Sequence, residues 1–230
     1  MFITFEGREG SGKTTQRRLL VNRLQTFTDI EVIDGHNLDG TDVGTQLRSV
    51  LQHRDTLSAV TVALIVSAMR SALVQQVIKP ALRRHAIVIC DRYIDSPLAL
   101  PDVGITVPAD HRRALCTISS DNIMPDLTIY LDIPATIGYA RTHHPTDGQK
   151  SSPQDTEITH HDLRANAVGE MHRRGYQELI LEDPRRWYVI DGQTNSAAPP
   201  DIIHEMIYQR VTMHPLFLAQ ILPDPCTTHT

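Results

Sequence analysis

Short apolar runs alternate with helical patterns along most of the chain. FITFE (Phe2–Glu6) reads as a buried strand, and the segment from Gly12 to Phe27 sets Leu20, Leu24 and Phe27 on one helical face. Glu31–Asp34 is a weaker strand, followed by a short amphipathic helix through Val43, Leu47, Val50 and Leu51. Leu57, Val60, Thr61, Leu64, Ile65 and Ala68 recur at i, i+3, i+4, i+7, i+8 and i+11, a helical stripe that continues or kinks toward Leu82. Its periodicity fits a buried core face and a face between two copies equally well. AIVIC (Ala86–Cys90) and LTIYLD (Leu127–Asp132) are near-continuous apolar runs, as expected of parallel strands covered on both faces. Pro134 opens a helix to about Arg141. Helix is expected again from Ile158 to Leu181, then a strand at WYVID (Trp187–Asp191) and a helix from about Pro200 to Thr212. Strands separated by helices predict an α/β fold, a five-stranded doubly wound parallel sheet flanked by helices. Ligands of such a sheet lie beyond the carboxyl ends of its strands.

Composition narrows this picture. The chain has 230 residues, 40% hydrophobic and 21% charged, the balance of a globular protein with a core of its own. A net charge of −5 argues against a general grip on a nucleic acid polymer, while leaving room for nucleotides in a locally positive pocket. The cysteines Cys90, Cys116 and Cys226 are sparse and odd in number, so the expectation is reduced thiols in a cytoplasmic protein. No signal peptide is visible, and polar residues interrupt the apolar stretches, so no membrane association is expected. The polar stretch from His143 to Ile158 reads as a functional lid or a disordered insert. The pairs His143-His144 and His160-His161 carry no cysteine with them and make a poor metal site. Arg173-Arg174 fits a solvated helix face, and the tail from Met213 fits packing on its own domain.

The chemistry is concentrated just after the first strand. Gly7-Arg8-Glu9-Gly10-Ser11-Gly12-Lys13-Thr14 fits G-x4-G-K-[ST] without mismatch and stands where a strand passes into a helix. Glycines let the backbone curl so that successive N–H groups point at phosphate oxygens, and the helix that follows adds its positive end. Lys13 can reach the β- and γ-phosphates, and the Thr14 hydroxyl can ligate Mg²⁺. ATP with magnesium is the expected ligand. Asp91-Arg92 ends the AIVIC strand, where a second magnesium-side carboxylate and a two-pronged phosphate clamp are expected.

Taken together, these segments resemble the thymidylate kinase family. Phe5-Glu6-Gly7 with Glu9 to Gln16 resembles its opening, and so do Ile78-Lys79-Pro80-Ala81-Leu82, Ile87 to Tyr93, Asp95-Ser96, Met124 to Asp132, Gly175-Tyr176 and Val189-Ile190-Asp191. The likeness covers about residues 1–212, a P-loop nucleoside monophosphate kinase domain with its lid at about 143–158, and leaves 213–230 as a C-terminal extension. It implies transfer of a phosphoryl group from ATP to dTMP. It further implies roles by position: Lys13, Asp91 and Arg92 in catalysis; Gly7 to Thr15 and Arg141 at ATP; Thr14, Asp91 and Glu9 at magnesium. Glu9, Arg48, Val66, Arg70, Arg92, Ser96 and Leu100 would surround the acceptor, with Arg70 reading the base, and the resemblance also suggests a homodimer.

Three departures stand out. The loop Gly35-His36-Asn37-Leu38-Asp39-Gly40-Thr41 keeps only the final Gly-Thr of the family's Thr-Arg-Glu-Pro-Gly-Gly-Thr. Val66 replaces a base-stacking Phe, and Leu100-Pro101 replaces Tyr-Gln, so relaxed base selection is expected. The lid aligns Asp155-Thr156-Glu157 with Asp-Arg-x-Glu and so lacks its arginine, leaving Arg8, Arg141 or Lys150 as substitutes. Two other readings stay open: a kinase for another or modified nucleotide or nucleoside, and a nucleotide-binding regulatory protein with little turnover.

Overall fold

A computed structural model describes residues 1–35, 38–52, 56–100, 107–143 and 160–221; His36, Pro101, Lys150, Asp155 to Glu157 and Cys226 lie outside them. The strands are β1 (Phe2–Glu6), β2 (Val32–Asp34), β3 (Ile87–Asp91), β4 (Leu127–Leu131) and β5 (Trp187–Ile190). All pair in parallel, in the order β2-β3-β1-β4-β5. This is the expected doubly wound sheet. Successive side chains of β1 leave on opposite faces. Ile3 and Phe5 join a core with Leu20, Leu24, Ile207 and Val211, while Phe2 joins another with Leu73, Ile78, Val88 and Tyr93. Because both faces are covered, every residue of β1 and β4 is buried.

The helices are α1 (Lys13–Phe27), α2 (Asp42–Leu51), α3 (Ala59–Leu73), α4 (Lys79–Arg83), α5 (Asp95–Leu98), α6 (Ala109–Ser120), α7 (Ala135–His143), α8 (His160–Glu182), α9 (Gly192–Ala197), α10 (Pro200–Thr212) and α11 (Pro215–Ile221). Helix α3 runs into α4 through a π-helical turn at Val74–Ile78. Pro80 has no N–H for the carbonyl four residues earlier and its ring crowds that carbonyl, so the ladder widens there. Phe217 on α11 is fully buried in the cluster that holds Ile203, Ile207 and Val211.

Of the two readings open for the stripe on α3, the core face is not the one observed: Val60 and Leu64 are 54% and 53% exposed. The helix is held instead through Met69, Arg70 and Leu73, and it packs on α2 and α6. The run Ala59–Arg83 is also long and apolar enough to cross a membrane by length and composition, contrary to the reading of interrupted apolar stretches. Here it is a domain helix with one open face, carrying a buried arginine inward.

Candidate active site

The glycine loop lies between β1 and α1, at the carboxyl edge of the sheet. Gly7, Gly10 and Gly12 have φ of 138°, 75° and 94°, a region side chains rarely tolerate. A Cβ on Gly7 would also stand 2.6 Å from the Leu131 carbonyl oxygen. Lys13 folds across the loop and donates from Nζ to the Arg8 carbonyl at 2.6 Å. The Ser11 carbonyl is held by the Asn195 amide, at 3.3 Å, and the Gly10 carbonyl by Arg141, also at 3.3 Å. The same Asn195 amide reaches the Asp132 carbonyl at 2.9 Å, which ties the loop to the end of β4.

Strand β3 lies next to β1, with Phe5 opposite Asp91, so the carboxylate meets the start of α1. The Thr14 hydroxyl donates to Asp91 Oδ2 at 2.9 Å. Arg92 follows with φ of 66°, a left-handed conformation costing a non-glycine residue about 1–2 kcal/mol. That turn swings its guanidinium into the cleft while its N–H still completes the ladder to Phe5. Glu9, Gly10, Gly12, Lys13, Thr14, Thr15, Asp91, Arg92 and Thr142 line one hollow of about 450 Å³. The motif and the Asp-Arg pair, far apart in sequence, face each other. The oxygens of Thr14 and Asp91 are a hard donor pair that would suit Mg²⁺.

Burial, then the nearby Arg92, lowers the Lys13 pKa to about 8. For Arg92 burial works against the charge, but Tyr176, Glu6, Asp91 and Glu9 outweigh it and raise its pKa. Beneath Arg92 lies a network that sequence reasoning did not assemble. Glu6 is fully buried and accepts from the Tyr93 N–H at 2.9 Å, the Ser96 hydroxyl at 2.6 Å and the Tyr176 hydroxyl at 2.8 Å. Arg92 donates to the Ser96 hydroxyl at 2.8 Å. His172 lies 4.9 Å from Tyr176, ring over ring, and 3.2 Å from the Ser96 carbonyl; burial pushes its pKa down to about 4. The apolar patterns carried no signal for these polar groups, though Glu6 and Tyr176 stand inside segments of the family likeness.

A second cavity, about 500 Å³, adjoins Pro97 and Leu100. Its walls include Val62, Ala63, Val66, Val107 and Leu115, with Ser67, Arg70, Arg112 and Cys116 as polar members. Arg70 is 1% exposed and donates to the Ser119 hydroxyl at 2.9 Å, while its Nε has no partner among the described residues. Val66, Arg70 and Leu100 are thus brought together, and Ser96 with Arg92 links them to the phosphate cleft. Arg48 stands apart: it pairs with Asp39 at 2.7 Å on the exposed side of α2 and lines neither cavity.

A parallel sheet with a glycine loop after its central strand, facing an Asp-Arg pair on the next strand, defines a P-loop nucleotide kinase architecture. The family model for thymidylate kinase matches residues 5–202. Thymidylate kinase from Thermomicrobium roseum is 36% identical over 211 residues, covering 92% of this chain and 94% of its own. That from Roseiflexus castenholzii is 36% identical over 204 residues, covering 86% and 88%. The crystal structure of thymidylate kinase from Ehrlichia chaffeensis superposes with a TM-score of 0.67 at 25% identity, over 93% of this chain and 98% of that one. The chain belongs to the thymidylate kinase family.

Proposed function

We propose that the protein transfers the γ-phosphoryl group of ATP to dTMP, giving dTDP and ADP. The observation that carries this reading is the meeting of Lys13, Thr14, Asp91 and Arg92 on one cleft, beside an apolar cavity with an arginine at its wall, in a chain of this family. The loop N–H groups and Lys13 hold the donor phosphates, and Arg92 holds the acceptor phosphate across from them. Thr14 and Asp91, with Glu9 at the rim, hold magnesium, which screens the triphosphate charge when bound. Arg70 supplies the hydrogen-bond donor that orients the base. Such a site works by alignment and fixed positive charge and asks little covalent chemistry of the protein. A cytoplasmic setting belongs to this reading, since donor and acceptor are cytosolic nucleotides and Cys90 and Cys116 are free thiols.

A coupled assay of ADP release across a panel of monophosphates tests the proposal. Release with dTMP is expected. ATP binding without acceptor-dependent release would sink it in favour of a regulatory protein. Val66 and Leu100 support a second feature, relaxed base selection, because a stacked aromatic contributes about 1–3 kcal/mol to holding a base. A hundredfold preference for dTMP over dUMP and dCMP contradicts that feature.

A homodimer through α2 and α3 is also part of the reading. Val43, Val50, Val60 and Leu64 are exposed apolar residues on these two packed helices. Light scattering should return twice the chain mass, and Leu64→Asp should return it once.

A further inference from the structure

The sequence offers the Arg8 side chain as a substitute for the lid arginine, but Arg8 does not line the phosphate cleft, and the loop acts through its backbone N–H groups. That side chain turns away from the cleft and enters a slot between α7 and α8. One wall is the backbone of Gly138, where a Cβ would stand 2.6 Å from Arg8 Nε and 2.8 Å from its Cδ. The other wall is the backbone of Gly169, where a Cβ would stand 2.8 Å and 3.0 Å from the two terminal nitrogens. Neither glycine has the positive φ that would call for glycine, and each sits within a helix, where it costs about 1 kcal/mol against alanine. A side chain on either would close the slot. The loop itself rests on the same wall, since a Cβ on Gly10 would stand 2.5 Å from the Gly138 carbonyl oxygen.

Inside the slot, Arg8 Nε and one terminal nitrogen are out of contact with solvent and have no hydrogen-bond partner among the described residues. Burial lowers the Arg8 pKa, and Glu170, whose carboxylate is engaged by the Ala135 N–H at 2.6 Å and by Arg173 at 3.4 Å, offsets this only in part. Among the described residues, the shape of the slot rather than a directed bond therefore holds Arg8. Helix α8 connects this contact to the other half of the site. Gly169, His172 and Tyr176 are spaced i, i+3 and i+7, one helical face. Gly169 touches Arg8 on the donor loop, while His172 and Tyr176 touch Ser96 and Arg92 on the acceptor side.

We infer that Arg8 is a positioning residue for phosphoryl transfer: keyed between Gly138 and Gly169, it sets the donor loop in register with the face of α8 that places Arg92. This rests on the kinase reading. A misplacement of about 1 Å between reacting groups can cost about 100-fold in rate, so the effect belongs in kcat rather than in nucleotide affinity.

Steady-state kinetics with ATP and dTMP, alongside melting temperatures, test it on Arg8→Ala, Gly169→Ala and the double variant. Arg8→Ala should lower kcat by about 10- to 100-fold and change KM for ATP by less than about threefold. Gly169→Ala keeps Arg8 and improves helix propensity, so it should fold; it should lower kcat similarly by pushing the guanidinium out of the slot. In the Arg8→Ala background the added methyl fits the vacated space, so the second change should cost less than about twofold. Arg8→Ala turnover within twofold of wild type, a loss confined to KM for ATP, or multiplying losses in the double variant each overturn the inference. A wild type that phosphorylates no monophosphate removes the kinase reading and the inference together, which differs from an active wild type matched by an equally active Arg8→Ala.

Discussion

Replacing Glu6 probes whether the network under Arg92 is held by this one carboxylate. Glu6→Ala takes the acceptor from three donors, at 2.9, 2.6 and 2.8 Å. The losses are unequal. The Ser96 and Tyr176 hydroxyls lie 2.9 Å apart and one can donate to the other, whereas the buried Tyr93 N–H has no other acceptor among the described residues. One orphaned donor costs about 1–3 kcal/mol, and each hydrogen bond to a charged group contributes about 1.5–3 kcal/mol. Loss of a buried charge beside Arg92 adds to this, offset by relief of the carboxylate's own desolvation. The expected loss of stability is about 3–5 kcal/mol. Glu6→Gln keeps an acceptor for Tyr93 and should lose only about 1–2 kcal/mol. Urea unfolding followed by fluorescence, comparing midpoints at unchanged slope, measures both. An alanine variant within about 1 kcal/mol of wild type would refute the reasoning, since the buried Tyr93 N–H cannot lose its acceptor so cheaply.

Other outcomes follow from the same geometry. Lys13 titrates near 8 in the fold against 10.5 as a free side chain, so its pairing charge fades above pH 8; ATP should bind about tenfold more weakly at pH 9 than at pH 7, and equal affinities would remove the argument. Over that window the unfolded chain holds more protons, so the nucleotide-free protein should gain stability from this group as pH rises from about 8 to 10.5. His172 is half-buried and neutral with a pKa near 4 against 6.5, so its contribution is present above 6.5 and lost as pH falls toward 4; His172→Gln should flatten the acid limb of a melting-temperature profile. Arg186 pairs with the fully buried Asp95 at 2.7 and 2.9 Å, and Arg186→Ala should cost about 3–5 kcal/mol in urea unfolding, because it strands a carboxylate in the core. A similar loss in Asp95→Asn/Arg186→Met would contradict that cause, since removing both charges leaves none unpaired.

Some of this was legible without coordinates. The strands β1, β3 and β4 are near-continuous apolar runs, as burial on both faces favours. Helix α6 was not anticipated. Its buried residues are Arg112, Cys116, Ser119 and Ser120, and a helix that turns polar groups inward has no apolar stripe to find. Short α5, α9 and α11 escaped because four to seven residues hold too few turns for a period to register. For α3 the period left core burial and a face between two copies equally open, since periodicity names a face without naming its cover.

What the amino-acid order determined by itself is whatever is local: a phosphate loop of eight consecutive residues, the strand before it, the helix after it, and an Asp-Arg pair closing another apolar run. Backbone conformation and short-range spacing suffice for these. Only the folded chain decided that Thr14 meets Asp91, that Glu6 gathers Tyr93, Ser96 and Tyr176, and that Arg8 lies between two helix glycines. Such contacts join residues up to 170 positions apart, and a polar side chain's partner is set by sheet order and helix packing, which no local pattern encodes.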